Sequence, residues 1–506
     1  MGTTNAQIDS KQIQNDARIN ANSIEAFFAE SVILITGATG FLGKALLEKL
    51  LRTCPRIITI FILIRPKNSE TIEDRLKKLL NSNVFDRIRQ EAPDALKKIK
   101  AIKGDVTIPN LGLSAADKNV LSQTVNIVFH SAATVRFDEP LKAAVNLNVR
   151  GTERVLDLCK SMKKLFSLVH ISTAYCNADR KEINEFIYTT KIKPSTVIDM
   201  CENLDDETLK LFENKLLDGL PNTYTFTKKL AEQLILTKRS DLPVTIVRPS
   251  IVCAAQEEPF PGWIDNIHGI TGIMMEVGRG TVRSLVCNPN LVVDLVPIDY
   301  VIDTIICVTW YSTTQCSNML KVYNCTHPDP VSWGRYERFI RKHAIETPSK
   351  YVTWYPGVQL TTNKFIHNIL STILHILPAF LIDSLLRLKG STPIMLKTTK
   401  RVERALRTGE FFATHEWHFQ RNNMNTLTKH LQTMKDCDRF NTHLKNFDWE
   451  TYSRHYMLGI RKYILKDNLE SLNKARNRLL ILYWMHKFTQ VFSILIFLAM
   501  IKYAGR

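Results

Sequence analysis

One stretch constrains the fold more than any other: SVILITGATGFLGKALLEKLL, residues 31–51. A short apolar run rich in β-branched residues gives way, through Gly37, Gly40 and Gly43, to a helical pattern. Such a run reads as a strand buried on both faces, as in a parallel sheet. The glycines meet three needs at once. The turn tolerates positive φ, the backbone can approach a pyrophosphate with no Cβ in the way, and the helix N-terminus presents N–H groups and a positive dipole. A P-loop does not fit. Five residues separate Gly37 from Gly43, and Lys44 is followed by Ala45 rather than Ser or Thr.

Four more apolar runs follow: IITIFILIR, NIVFHSA, SLVHIS and PVTIVRPS, with helical periodicity between them over 141–160 and 225–237. Strands alternating with helices predict an α/β fold, a doubly wound parallel sheet with right-handed crossovers. The texture changes after residue 350, where FIHNILSTILHILPAFLIDSLL and a charged segment with aromatic anchors predict a second, mainly helical domain. The expected organisation is a polar N-terminal arm over 1–28, a sheet domain over 29–350, a helical domain over 351–470 and a hydrophobic helix over 479–501.

A net charge of +18 attracts polyanions, phosphorylated cofactors and acidic membrane surfaces included. No Lys/Arg run with interleaved aromatics, zinc-finger spacing or RNP-like segment is present, so nucleic acid is not the expected partner. The ten cysteines include no C-x-x-C pair and do not read as a disulfide framework. The N-terminal sequence lacks the apolar region of a signal peptide, and Ala6 breaks the myristoylation pattern. The expected compartment is therefore reducing. The final AGR matches no peroxisomal tripeptide.

PNTYTFTKKLAEQLIL sets Tyr224 four residues before Lys228, on one helix face and one turn apart. A phenol with a pKa of about 10 is a poor proton donor and acceptor at neutral pH. A neighbouring ammonium lowers that value by favouring the phenolate. Asn222 or Thr223 can cap the helix. Before it, SLVHISTAYC ends in Ser172 and Thr173, hydroxyls at a strand's carboxyl end, where ligands bind in such sheets. With a hydride donor, an oxygen binder, a proton donor and a lysine, carbonyl reduction is chemically complete. After the second strand, ILIRPK places Arg65 and Lys67 where NAD-binding folds put an acid on the ribose 2′-hydroxyl. A cation there suits a 2′-phosphate and favours NADP(H); the alternative is a solvated strand end.

TGATGFLG, the Tyr224/Lys228 pair and the Ser-Thr strand end resemble the extended short-chain dehydrogenase/reductase superfamily. More closely, FHSAATVRFDEPL, NVRGT, HISTAYCN, PNTYTFTKKLAE, IVRPSIV and PFPGWIDN resemble the alcohol-forming fatty acyl-CoA reductases. FFATHEWHF, FDWETY and GIRKYIL resemble that family's C-terminal male-sterility domain, so the likeness spans residues 30–465. It implies a Rossmann-type reductase domain, NADPH as cofactor, long-chain acyl-CoA as substrate and membrane lipid as surroundings. It also implies a membrane-bound intracellular enzyme whose catalytic domain faces the cytosol, at the peroxisome or endoplasmic reticulum.

By this resemblance Thr173 (or its neighbour Ser172), Tyr224 and Lys228 are catalytic. Gly37, Thr39, Gly40, Phe41, Leu42, Gly43 and Arg65 line the adenosine and pyrophosphate. Asp105 of GDV faces the adenine, Ala132 and Ala133 lie near the ribose, and Pro249 lies near the nicotinamide. The implied reaction makes two reductions at one site, by way of a hemithioacetal that releases CoA and a bound aldehyde. Tyr224 gives the proton, while Lys228 lowers its pKa and contacts the nicotinamide ribose. Cys176 is needed only in an acyl-enzyme route. Asn148, in such reductases, helps order a proton-relay water; the alternative is an exposed helix amide. An aldehyde-forming reductase, a sterol or nucleotide-sugar enzyme and a non-catalytic dinucleotide-gated binder remain open, as does the oligomeric state.

Other features read less sharply. His130 and His170 are expected to be core histidines, and Asp138 and Glu139 either bind substrate or shape a turn. Trp263 either walls an acyl entrance or packs a loop, and Lys229 is expected to be dispensable. THEWHF is not H-E-x-x-H, so no metal is expected. As a helix, 479–501 is roughly 35 Å long, enough for a hydrocarbon core of about 30 Å. His486 and Lys487 interrupt it, and the stretch 488–501 is too short for a straight span. A membrane anchor, spanning or interfacial, is expected there, with either orientation open. The 365–386 stretch reads as a hydrophobic hairpin or acyl-binding wall rather than a second span.

Overall fold

The computed structural model describes residues 21–67, 70–315, 319–444 and 447–504. Seven strands form the main sheet: β1 (Val32–Thr36), β2 (Thr59–Ile64), β3 (Ile99–Lys103), β4 (Ile127–His130), β5 (Ser167–Ile171), β6 (Val244–Pro249) and β7 (Lys321–Cys325). They lie in the order β7-β6-β5-β4-β1-β2-β3, and every pairing is parallel. Strand order reverses between β1 and β4, which opens a crevice beyond the carboxyl ends of the sheet. Four helices matter for that crevice and its support: α1 (Phe41–Thr53), α2 (141–160), α3 (Thr223–Lys238) and α5 (Ile298–Thr314).

The five interior strands are the five apolar runs, because a strand covered on both faces must be apolar throughout. Ile33, Ile35, Ile60, Ile62, Phe129 and Val169 are fully buried. The two edge strands carry weaker sequence signals. β3 reads IKAIK and leaves Lys100 and Lys103 exposed. β7 reads KVYNC and is buried by a chain segment that returns from far along the sequence. In that segment Asn423 Nδ2 donates to the Val322 carbonyl at 2.8 Å, and Asn324 Nδ2 donates to the Gln420 carbonyl at 2.9 Å. His418–Phe419 pairs with Glu182–Ile183. An uncovered edge strand invites wrong pairing, and residues 417–445 supply the cover.

This returning segment changes the domain division. One compact unit comprises Met1–Val252, Asp294–Pro328 and Trp417–Lys445; the other comprises Cys253–Val293, Asp329–Glu416 and Asn446–Arg506. The single boundary expected at residue 350 is not where the structure divides. The expected polar arm is also shorter than 1–28. Residues 1–20 lie outside the described residues, and Ile24–Phe28 form a short helix with Ile24, Phe27 and Phe28 fully buried. Its first N–H groups, on Ile24 and Glu25, donate to the Asp436 carboxylate at 2.9 and 3.0 Å.

The second unit is mainly helical: α4 (Ile270–Arg279), α6 (Trp333–Glu346), α7 (Lys364–Leu388), α8 (Met395–Thr414), α9 (Trp449–Gly459) and α10 (Leu472–Ala504). Trp263 is fully buried in it, as a packed loop residue rather than an open wall. Asn363 caps α7 by accepting from the Phe365 and Ile366 N–H groups. Within α7 the stretch Thr372–Ile376 is π-helical. That wider turn lies just before Pro378, which cannot donate in the α-helical ladder.

α7 and the stretch Leu469–Tyr503 are each long and apolar enough to cross a membrane. α10 begins packed, with Leu479 and Leu482 against Val352. His486 stacks on Tyr355 and accepts from the Trp354 indole at 3.3 Å. Beyond it Phe488, Val491, Phe492 and Ile494 are exposed. The polar interruption at His486 thus falls where the helix still packs on its own unit.

Candidate active site

The site assembles at the carboxyl ends of β1, β4 and β5, where Thr36, His130 and His170 stand in register. His130 ties this corner together. Its Nε2 bonds to Thr152 Oγ1 at 3.1 Å, and that hydroxyl donates to the Asn148 carbonyl. The imidazole proton therefore sits on Nε2, and Nδ1 accepts from Thr36 Oγ1 at 2.8 Å. Burial, with Lys228 adding to it, pushes His130 down to about 3. His170 is lowered by burial too, again with a smaller push from Lys228. Both are neutral structural groups at physiological pH.

Beside them lies the glycine turn. Gly37 takes φ +75°, and a Cβ there would lie 2.7 Å from the Ala132 backbone nitrogen. Only glycine permits this approach between the first turn and the strand-end residues Ala132 and Ala133. A Cβ on Gly43 would lie 2.4 Å from the Gly37 carbonyl oxygen, so α1 packs directly on the turn. Gly40 begins α1 without a side-chain cap and is exposed, flanked by half-buried Thr39, Phe41 and Leu42. A helix N-terminus closed by no side chain and bare of Cβ suits an anion, and these residues fit a dinucleotide pyrophosphate.

Arg65 and Lys67 are exposed just past β2. Asp105 follows β3, and its Oδ1 accepts from the Thr107 N–H and hydroxyl at 2.9 and 2.8 Å. Pro249 closes β6 and is buried.

α3 brings the other half. Asn222 caps it by accepting from the Thr225 N–H at 2.9 Å. Tyr224, on the first turn, lies beside the Thr173 hydroxyl. Phe137 stacks over the Tyr224 ring, with centroids 5.9 Å apart. Thr173 Oγ1 accepts from the Tyr175 N–H, which starts the 3-10 turn Ala174–Asn177. Ser172 is buried too, its hydroxyl without a hydrogen-bond partner among the described residues.

One turn along α3, Lys228 Nζ donates to the Ile171 carbonyl at 2.7 Å, and burial lowers its pKa to about 8. The expectation that Lys228 would bring the tyrosine down is not met here. Burial dominates and pushes the Tyr224 phenol up, while the neighbouring Thr173 hydroxyl opposes it.

Asn148 is neither an exposed amide nor open to water on its donor side. It lies in the π-helical stretch Val145–Arg150 of α2, its Nδ2 donates to Thr227 Oγ1 at 2.9 Å, and its Oδ1 accepts from the Thr134 N–H at 3.0 Å. It clamps the 134–140 loop to α3, and Thr223 Oγ1 adds a bond to the Glu139 carbonyl at 2.9 Å.

Two further residues escaped the sequence reading. Glu232, one turn beyond Lys228, pairs with Arg248 of β6, whose Nε donates at 2.8 Å; both side chains are almost wholly buried. The guanidinium also donates to the Asn184 and Phe186 carbonyls at 2.9 Å. The available signal was an arginine inside an apolar strand, PVTIVRPS, because a buried charge needs a partner. Cys176 Sγ bonds to Glu232 at 3.3 Å, and burial, then Glu232, pushes the thiol well up. It is a buried thiol, not a nucleophile. Lys229 is no idle surface residue either, for it pairs with Asp179 at 2.9 Å and is nearly buried.

Two family models, both described as male sterility protein, match residues 35–305 and 374–467. Mouse fatty acyl-CoA reductase 1 is 40% identical over 459 residues, covering 90% of this chain and 89% of the relative. The human counterpart is 39% identical over the same length, and mouse fatty acyl-CoA reductase 2 is 38% identical over 458 residues, both with 90% and 89% coverage.

Among solved structures, the terminal R domain of the myxalamid PKS-NRPS pathway aligns with a TM-score of 0.57 at 20% identity, covering 89% of this chain and 97% of its own. The reductase domain of a Mycobacterium tuberculosis nonribosomal peptide synthetase also gives 0.57, at 17% identity, with 88% and 95% covered. At these identities the structures speak for the fold alone. The sequence relatives and the family models go further: this chain belongs to the fatty acyl-CoA reductase family.

Proposed function

We propose that this chain reduces long-chain fatty acyl-CoA to the primary alcohol, with NADPH as reductant and release of CoA. The observation that carries the reading is the Tyr224–Thr173 hydroxyl pair, one helical turn from Lys228 and at the same sheet edge as the uncapped glycine turn. When bound, the reduced nicotinamide supplies one hydride for each of two reductions.

In the first, the Thr173 and Tyr224 hydroxyls stabilise the oxyanion that develops on the thioester carbonyl. That oxyanion then collapses, breaking the C–S bond to give the aldehyde and the CoA thiolate, which takes a proton from solvent. In the second, Tyr224 gives its proton to the alkoxide, completing the alcohol. A phenol held above its ordinary pKa stays protonated at neutral pH but is a weak acid, and the transfer runs because the alkoxide that takes the proton is a far stronger base. Lys228 keeps a positive charge close to the tyrosine, and Asn148, Glu232 and Arg248 hold both ends of the site in place.

Gly37, Thr39, Gly40, Phe41, Leu42 and Gly43 would cradle the pyrophosphate, with Ala132, Ala133 and Pro249 toward the ribose and nicotinamide and Asp105 toward the adenine. The preference for NADPH rests on Arg65 and Lys67, cations without a competing acid at the end of β2.

The enzyme works at a membrane of the peroxisome or endoplasmic reticulum, facing the cytosol, with α10 as anchor and the outer face of α7 against lipid. Two long apolar helices with exposed large side chains support this. Purified full-length protein in detergent should convert long-chain acyl-CoA and NADPH to alcohol, with NADH a poorer donor. Tyr224→Phe should lower kcat/KM by about 10²–10⁴, the range for a lost general acid. Aldehyde as the final product, or unchanged alcohol output from the variant, would refute the reading.

A further inference from the structure

The second unit contains a cavity of about 110 Å³. Its walls come from α4, α6, the inner face of α7 and α8, and they are mainly apolar.

Most polar side chains on the wall are already satisfied. His375 Nε2 accepts from the Arg283 N–H at 2.8 Å, which places its proton on Nδ1, toward Ser371. The Ser371 hydroxyl in turn donates to Glu403. Serine thus lies between histidine and glutamate, and the imidazole is a donor to it. This is not a base–nucleophile arrangement but a bonded strip that leaves the interior oily. Trp333 also lines the cavity, with its indole nitrogen buried out of reach of it.

Gly409 is the telling residue. It lies inside α8, where glycine costs about 1 kcal/mol relative to alanine. A Cβ there would meet only Ile273 Cδ1, at 4.0 Å. No neighbouring backbone or side chain demands the glycine; what lies over it is the empty cavity.

We propose that this cavity binds a single long unbranched aliphatic chain, and that Gly409 keeps the cavity deep. The ligand has two sources of the same chemistry: the acyl chain of an acyl-CoA, or a chain drawn from the bilayer. The first source rests on the function proposed above; the second does not.

The probe is a long-chain fatty alcohol carrying a terminal diazirine, photolysed with full-length protein in detergent and mapped by peptide mass spectrometry. Labelling should fall on peptides containing Ile273 and residues 406–413. Gly409→Ala should keep it. Gly409→Phe should lower it by at least about tenfold, the scale that a misfit of one methylene or more sets in an apolar pocket. Gly409→Leu serves the same purpose should the larger ring impair folding.

Competition by excess acyl-CoA identifies the substrate as source, and competition by phosphatidylcholine vesicles identifies the membrane. Labelling that is absent from these peptides, or indifferent to both Gly409→Phe and Gly409→Leu, overturns the proposal. Running the probe also on Tyr224→Phe separates the two claims. Undiminished labelling with no alcohol formed by the wild type would defeat the catalytic reading and leave the cavity standing.

Discussion

α3 and α7 break the same rule in opposite directions. α3 buries what is usually exposed: Lys228, Lys229, Glu232 and three threonines are nearly inaccessible, and each charged group has a partner. α7 exposes what is usually buried, with Phe365, Ile369, Ile373, Leu377, Phe380 and Leu381 all facing outward. Charged residues are rarely fully buried unless paired, and large exposed apolar patches mark an interaction surface. The first inversion holds chemistry in place. The second leaves an apolar face that the fold of its own unit does not cover. Each can be broken separately, and the effects should differ in size.

The largest effect is expected at the bond between α3 and β6. Removing one member of a buried ion pair strands the other, at a cost of about 3–5 kcal/mol. Arg248→Met leaves the Glu232 carboxylate in the core without its guanidinium, beside the Cys176 thiol and within electrostatic reach of Lys228. Denaturant unfolding should show that loss, whereas the double variant Arg248→Met/Glu232→Leu should recover much of it. Equal destabilisation in the single and double variants would mean the pair is not what joins helix to strand.

Next comes Lys228. Its folded pKa of about 8 lies below the ordinary 10.5. Between these values the unfolded chain holds the proton and the folded chain does not, so stability rises with pH across that window. Activity should move the other way. Tyr224 stays protonated because burial raises it, so loss of charge on Lys228 sets the alkaline limb of kcat/KM at about pH 8. Lys228→Met should abolish the stability rise. A wild-type profile flat in both measures would show that the ammonium is not desolvated.

Lys229 sharpens the contrast within one helix. Its neighbour faces the site, whereas Lys229 holds Asp179. Lys229→Ala should leave kcat close to wild type and cost about 1–3 kcal/mol, the penalty for leaving a buried polar partner unsatisfied. A loss of activity as deep as that of Tyr224→Phe, with stability unchanged, would place it in the site after all.

How much of this was visible in the sequence follows from burial. The five interior strands announce themselves because both faces are covered. The edges β3 and β7 do not, since one is lysine-rich and the other is buried by a segment about a hundred residues away. Tyr224, Lys228 and the glycine turn were legible because spacing alone puts them on defined faces. The direction of the Tyr224 shift was not, because it depends on how deeply the phenol sits, which no spacing reports. Glu232 and Arg248 left only a faint sign, an arginine in an apolar run. The interleaving of the two units left none: no change in composition marks residue 253, 294 or 417.

The smallest effect on stability, and the clearest test of the second inversion, is expected on α7. Surface substitutions usually change stability by no more than about 0.5 kcal/mol, so Ile369→Cys should fold normally. Eight of the nine described cysteines are buried, so a new thiol on this face accepts a polarity-sensitive dye selectively. On addition of phospholipid vesicles the dye at Ile369→Cys should report a less polar setting. The same dye at Leu211→Cys should not, although Leu211 is 83% exposed and equally apolar. A single exposed leucine is ordinary, because over half of any protein surface is apolar; a continuous face is not. If both positions stay in water, α7's outer face does not meet lipid, and its inversion is left without a cause while that of α3 stands.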